Sequence, residues 1–124
     1  MKLAFVVQRY GEAIAGGSEA HCRLLAEHLA SRHDITVLTT CATDYVTWAN
    51  QLPAGEARAG GVRVLRFPVA RQRALKRFAD ISDVVFAGGA SPDEELAWFH
   101  ENGPDAPALL EHRRGPGRRR SCSR

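Results

Sequence analysis

Residues 1–40 read MKLAFVVQRYGEAIAGGSEAHCRLLAEHLASRHDITVLTT, and their pattern decides the fold. Residues 3–7 (LAFVV) form an unbroken apolar run of strand length. Such runs suit a strand covered on both faces, as in a parallel sheet. Residues 18–31 carry a helical stripe, with Cys22, Leu25, Ala26, Leu29 and Ala30 at three- and four-residue spacing. Ser18 stands where an N-cap is expected, and Glu19 in the first turn suits the positive helix end. Arg32 and His33 follow at the negative end. Residues 35–40 (ITVLTT) are rich in β-branched side chains and read as a second strand. Strand, helix, strand is the repeating unit of an α/β domain with a parallel sheet.

Downstream, residues 42–61 show no periodicity, and Pro53, Gly55 and Gly60-Gly61 mark turns. Residues 62–67 (VRVLRF) alternate. Val62 and Val64 are expected in the core, Arg63 and Arg66 in solvent, and Pro68 ends the strand. Residues 71–86 read as a helix with Leu75, Phe78 and Ala79 on its apolar side, stopped by Gly88-Gly89. In SPDEELAWFHENG, residues 91–103, Ser91 caps a helix, Pro92 takes its first position and Glu94 completes a capping box. Leu96 and Phe99 supply its apolar face, and Gly103 stops it. Asp105 begins one more helix, which Pro116 and its flanking glycines are expected to break.

The chain has 124 residues, 44% of them hydrophobic. That is enough for one modest core and not for two full domains. No apolar stretch approaches membrane-spanning length. The opening run is short, Gln8 and Arg9 interrupt it, and no small-residue cleavage site follows, so a strand explains it better than a signal peptide. These features predict a cytoplasmic protein, with peripheral membrane contact left open. The net charge of +3 is unevenly placed. Residues 1–111 hold 14 acidic and 11 basic side chains, whereas residues 112–124 hold six arginines and no acid. The body therefore offers no electrostatic reason to expect a nucleic-acid partner. Cys22, Cys41 and Cys122 make no metal spacing and no disulfide framework. Cys22 falls on the apolar helix stripe, where a thiol is ordinarily a small hydrophobe.

The loop between the first strand and helix lies at the carboxyl edge of the sheet, where open α/β sheets bind ligands. Gly16 and Gly17 remove side chains there, and free N–H groups at a helix start can receive an anion. A tight turn needing glycine only for its backbone is the competing explanation. Gly11, Gly16 and Gly17 do not make GxGxxG, no ribose-binding acid stands near residue 39, and no GKT or GKS ending is present. Ser18, Glu19 and His21 adjoin the loop. Asp44 and Trp48, with Tyr45 and Asn50, follow the second strand at the same edge, and such groups either line a sugar pocket or pack a long loop. Glu12 and Glu19 do not define a paired-carboxylate site. The histidines make no metal group.

Together, MKLAFVVQRYG, the AGGSE helix opening, HCRLLAEHLASRHDITVLTT and GVRVLRFPV resemble the N-terminal domain of family 4 glycosyltransferases, retaining enzymes of the GT-B fold. The resemblance covers roughly residues 1–111. It implies a Rossmann-like parallel sheet with flanking helices, the acceptor-side half of a two-domain enzyme. The other half would bind the nucleotide-sugar donor through a glutamate, seven residues and a second glutamate. Gly16 and Gly17 match the family's glycine-rich loop near the donor diphosphate, and Ser18 and Glu19 are neighbouring contacts. No catalytic residue and no metal is assigned. The nucleotide sugar is expected only for a complete enzyme, by a metal-independent mechanism. The expected partners are a sugar or glycolipid acceptor and a separate donor-binding chain. The acidic signature is absent, since Glu12 and Glu19 belong to the first loop and Glu94, Glu95 and Glu101 to a late helix. The domain therefore reads as truncated, with residues 112–124 a disordered or frame-shifted Arg-rich tail. Negligible transfer is expected of the isolated chain. A carbohydrate- or partner-binding fragment, or an inactive gene remnant, is the alternative.

Overall fold

The computed structural model describes residues 1–119. Its elements are β1 (Lys2–Val6), α1 (Gly17–Leu29), β2 (Asp34–Thr40), β3 (Gly55–Ala59), β4 (Val62–Phe67), α2 (Leu75–Phe86), α3 (Pro92–Asn102) and α4 (Pro107–Arg119). The strands form one sheet in the order β1-β2-β4-β3. β1 and β4 flank β2 in parallel, and β3 returns antiparallel along β4. The result is a Rossmann-like α/β architecture with an open, mixed sheet and flanking helices.

The antiparallel β3 corrects the expectation of a wholly parallel sheet. Gly60 and Gly61 have φ of 60° and 79°. They join β3 to β4 through the kind of two-residue turn whose twist matches paired strands. β3 itself reads GEARA and is exposed along its length, so no hydrophobic periodicity marks it. The glycine pair ahead of VRVLRF is its only local signal.

Alternation of side chains sorts the sheet into two faces. Leu3, Phe5, Ile35, Val37, Val62 and Val64 share one face with Tyr10 and the α1 residues Cys22, Ala26, Leu29 and Ala30. Ala26 is fully buried, and its small side chain lets α1 approach closely. Leu25, which spacing puts on the same stripe, is exposed. The other face carries Leu38, Leu65 and Phe67 beneath Ala106 and Leu109. β1 is not covered on both faces as its apolar run suggests: its burial alternates, and Val6 is 55% exposed. The strand lies at the sheet margin, where only the α1 side is occupied.

α2 and α3 pack on each other as a hairpin. The Trp98 ring lies 6.3 Å from Phe78 and 5.8 Å from Phe86, and its indole N–H donates to Ser82 Oγ at 2.9 Å. The capping box of Ser91 and Glu94 is formed, with Pro92 in the first turn and Gly103 at the end. The expected apolar face of α3 is corrected. Leu96 and Phe99 are exposed, Phe99 by 68%, because Trp98 turns to α2 instead. α4 begins at Pro107 and not at Asp105. Its backbone stays helical through Gly115, Pro116 and Gly117, where a break was expected. Proline removes one helical hydrogen bond and disfavours the turn before it, but it does not forbid helical backbone beyond. The readings of residues 120–124 and of Cys122 lie outside the described residues.

Candidate functional site

The loops after β1, β2 and β4 converge at the carboxyl edge of the parallel strands. They enclose a cleft of about 530 Å³. Arg9 comes from the β1 loop, Glu19 from α1, and Tyr45 and Trp48 from the β2 loop. Arg73 precedes α2, which adds Phe78, and Asn102 ends α3.

Glu19 organises the glycine loop. It is 9% exposed. Arg9 donates to its Oε1 through Nε at 3.1 Å and Nη2 at 2.9 Å, and ties itself to the Thr43 carbonyl through Nη1 at 2.9 Å. Ser18 is not the N-cap. Gly16 holds that position without a side-chain cap, and the Ser18 hydroxyl, within the first turn, donates to Glu19 Oε2 at 3.0 Å. Burial pushes the Glu19 pKa up, but hydrogen bonds from its own amide, Arg9 and Ser18 outweigh burial and leave it lowered. The carboxyl is therefore ionised at neutral pH and fills the positive end of α1. An incoming phosphate would meet this carboxylate first. A Cβ at Gly16 would lie 2.1 Å from Glu19 Oε2 and 2.8 Å from Arg9 Nη2, so a side chain there would displace the ion pair from this geometry. Gly17 faces open space.

The β2 loop is built around Asp44 and Trp48. Asp44 accepts from the Val46 N–H at 2.8 Å and the Thr47 hydroxyl at 2.8 Å. The Val46 amide and the Thr47 hydroxyl hold its carboxyl below its ordinary pKa. Trp48 adopts φ of 57°, packs on Ala42 and Val69, and donates its indole N–H to the Asn102 carbonyl at 3.1 Å. Asn50 bonds the Val69 carbonyl and amide, at 2.9 Å and 2.8 Å. Tyr45 is exposed, with the Arg9 guanidinium 5.2 Å from its ring centre.

Of the seven candidates read from the sequence, Glu19 and Trp48 line the cleft, and Gly16 lies against Glu19. Gly17 and Ser18 stand exposed at the helix start. Asp44 serves its own loop, and His21 is exposed on α1 outside the cleft lining. Sequence reasoning missed Arg9, Arg73 and Glu101. The Arg73 guanidinium stacks 4.3 Å from the Phe78 ring centre and 5.6 Å from that of Trp48, and its Nε donates to the Glu101 carbonyl at 3.1 Å.

Glu101 is 3% exposed. It accepts from Arg71 Nη1 at 3.1 Å and 3.2 Å and from the Ala74 N–H at 2.9 Å. Ala74 is the N-cap of α2 and has no capping side chain, so a carboxylate from α3 caps α2. Burial again raises the pKa, and the Ala74 amide with Arg71 outweighs it, leaving Glu101 lowered. No local pattern announces a cap supplied from another helix. Among the described residues, no cluster of three or more His, Cys, Asp or Glu side chains is placed to hold a metal ion. Compared with known protein families, curated proteins and solved structures, the chain shows no match.

Proposed function

We propose that the carboxyl-edge cleft binds a carbohydrate acceptor, and that the chain is the acceptor-side domain of a family 4-like glycosyltransferase. One observation carries the reading: the cleft sets the exposed ring of Tyr45 beside the fixed polar groups of Arg9 and Glu19, with the Arg73 guanidinium lying over Trp48 and Phe78. A sugar ring offers an apolar C–H face and an edge of hydroxyls, and this lining is complementary to both. The strand–glycine loop–helix order and the VRVLRF strand support the finer family reading.

Within this reading the chain recognises and orients, and does not by itself transfer. Glu19 is ionised and doubly bonded to Arg9, so it is a hydroxyl acceptor and not a base poised near neutral pH. Activation of a nucleotide sugar needs donors aimed at the leaving diphosphate, which the proposal assigns to a separate donor-binding domain or chain. A sugar or a glycolipid headgroup satisfies the acceptor chemistry equally.

NMR titration of the chain with a panel of mono- and oligosaccharides tests the proposal. Saturable shifts of the Trp48 indole N–H are expected. Tyr45→Ala, a change at an exposed ring, should weaken binding about tenfold, or ~1.4 kcal/mol. If no sugar saturates, or Tyr45→Ala titrates like the parent, the cleft is not a carbohydrate site.

A further inference from the structure

The two margins of the sheet are unlike. The β3 margin is guarded. α1 leans toward the β3–β4 turn, where a Cβ on Gly61 would lie 3.5 Å from Ala30 and one on Gly60 would strike Glu27 at 2.8 Å. Arg66, expected in solvent, turns inward, and its Nη1 donates to the Tyr10 carbonyl at 2.8 Å. Glu56 and Arg58 set charge along β3 itself, a common way for an edge strand to discourage further pairing.

β1 lacks such guards. It reads KLAFV, with one charge at its first residue, no proline and an unbroken register against β2. Its hydrogen bonds to β2 use alternate residues. The Met1 carbonyl accepts from the Asp34 N–H at 3.0 Å, and the Val7 N–H donates to the Leu38 carbonyl at 3.1 Å. Residues of the other parity, Lys2, Ala4 and Val6, therefore turn their N–H and C=O groups outward. Among the described residues no strand pairs with them. The side chains around this edge are apolar and open. Met1 is 81% exposed and Val6 55%, and Leu25, on the flank of α1 away from the β3–β4 turn, is 40% exposed.

We propose that β1 pairs with β1 of a second copy, antiparallel about a two-fold axis at Ala4, joining the two sheets into one. The edge is complementary to itself in this register. Ala4 meets Ala4 of the other copy, and Lys2 meets Val6, so every outward N–H of Lys2, Ala4 and Val6 finds an outward C=O. On the α1 face Leu3 meets Phe5, and Met1 meets Val7, so each cross-strand pair there is apolar. On the opposite face the Lys2 stem lies along Val6 while its ammonium stays in water. The contact is isologous and closes at two copies. The carbohydrate cleft lies beyond these residues, so the dimer is independent of that function.

Sedimentation of the full chain over a range of concentrations should show a monomer–dimer equilibrium. Amide exchange on the same samples should show Ala4 and Val6 protected only as the dimer forms, and Val7 protected throughout. Ala4→Pro removes an outward N–H alone, which an edge strand tolerates, and should abolish the dimer while the chain stays folded. Val6→Lys faces Lys2 of the other copy and should weaken association about tenfold without unfolding the dilute protein. Adding Lys2→Glu to Val6→Lys sets opposite charges across both pairs and should restore it. The proposal is overturned if the chain is monomeric at every soluble concentration, even if an added apolar peptide then occupies the edge. It is overturned equally if a dimer forms while the Ala4 and Val6 amides still exchange fast, if folded Ala4→Pro dimerises like the parent, or if the double variant associates as weakly as Val6→Lys. The exchange and charge-pair results decide the matter even if Ala4→Pro does not fold.

Discussion

Glu19 and Glu101 are two buried carboxylates doing the same job in different ways. Each sits at the start of a helix that lacks a side-chain N-cap, and each is held by an arginine. Glu19 belongs to the helix whose start it fills, and its partner Arg9 lies in the loop leading to that helix. Glu101 comes from α3 and serves α2, with Arg71 as partner. Arg9 is nearly as buried as Glu19, whereas the Arg71 side chain is 48% exposed. The first node is a local βα device. The second ties the start of α2 to the end of α3 through a contact 27 residues apart. Equal chemistry therefore has unequal consequences, because the cost of removing one partner depends on whether water can reach the other.

Acidification should break both nodes together and give the largest effect. Both folded-state pKa values are lowered, so the folded protein holds fewer protons than the unfolded chain in this range. The stabilisation is present above the unfolded glutamate pKa of about 4.3 and is lost as pH falls through the lower folded values. Urea unfolding at neutral pH and at successively lower pH should show the midpoint dropping below that point, and a midpoint independent of pH would refute the assignment. Glu19→Ala comes next. It leaves Arg9, 11% exposed, without its carboxylate and should cost about 3 kcal/mol. Glu101→Ala leaves the Ala74 N–H unpaired while Arg71 turns to solvent, and should cost about 2 kcal/mol. If the two variants ranked in the opposite order, partner burial would not be the controlling variable.

Trp98→Ala sharpens the contrast by loosening only the hairpin. It should cost about 1–2 kcal/mol, less than a fully buried aromatic. Amide exchange should rise in α2 and α3 and not in β2. The smallest effect is expected at the margin of the sheet. Val6→Lys should shift stability by less than about 0.5 kcal/mol, since the side chain is already exposed, while raising solubility as charge does on an edge strand. The opposite edge, β3, already carries Glu56 paired with Arg63.

Local chemistry determined the strand–helix–strand unit of residues 1–40, because an unbroken apolar run, a stripe at helical spacing and a β-branched run follow one another along the chain. It determined the α3 start as well, since a capping box closes within four residues. It also put the β1–α1 and β2–β3 loops at one edge of the sheet, which follows from parallel pairing. Tertiary structure alone decided the rest. β3 has no buried face, so only pairing with β4 makes it a strand. Trp98, not Leu96 or Phe99, became the contact of α3 because the partner helix, absent from any local window, selects the face. Arg66 turned inward because the Tyr10 carbonyl lies across the sheet from it. Glu19 and Glu101 became buried for the same reason: a charge can leave water only where donors from several segments converge, and that convergence exists only once the chain has folded.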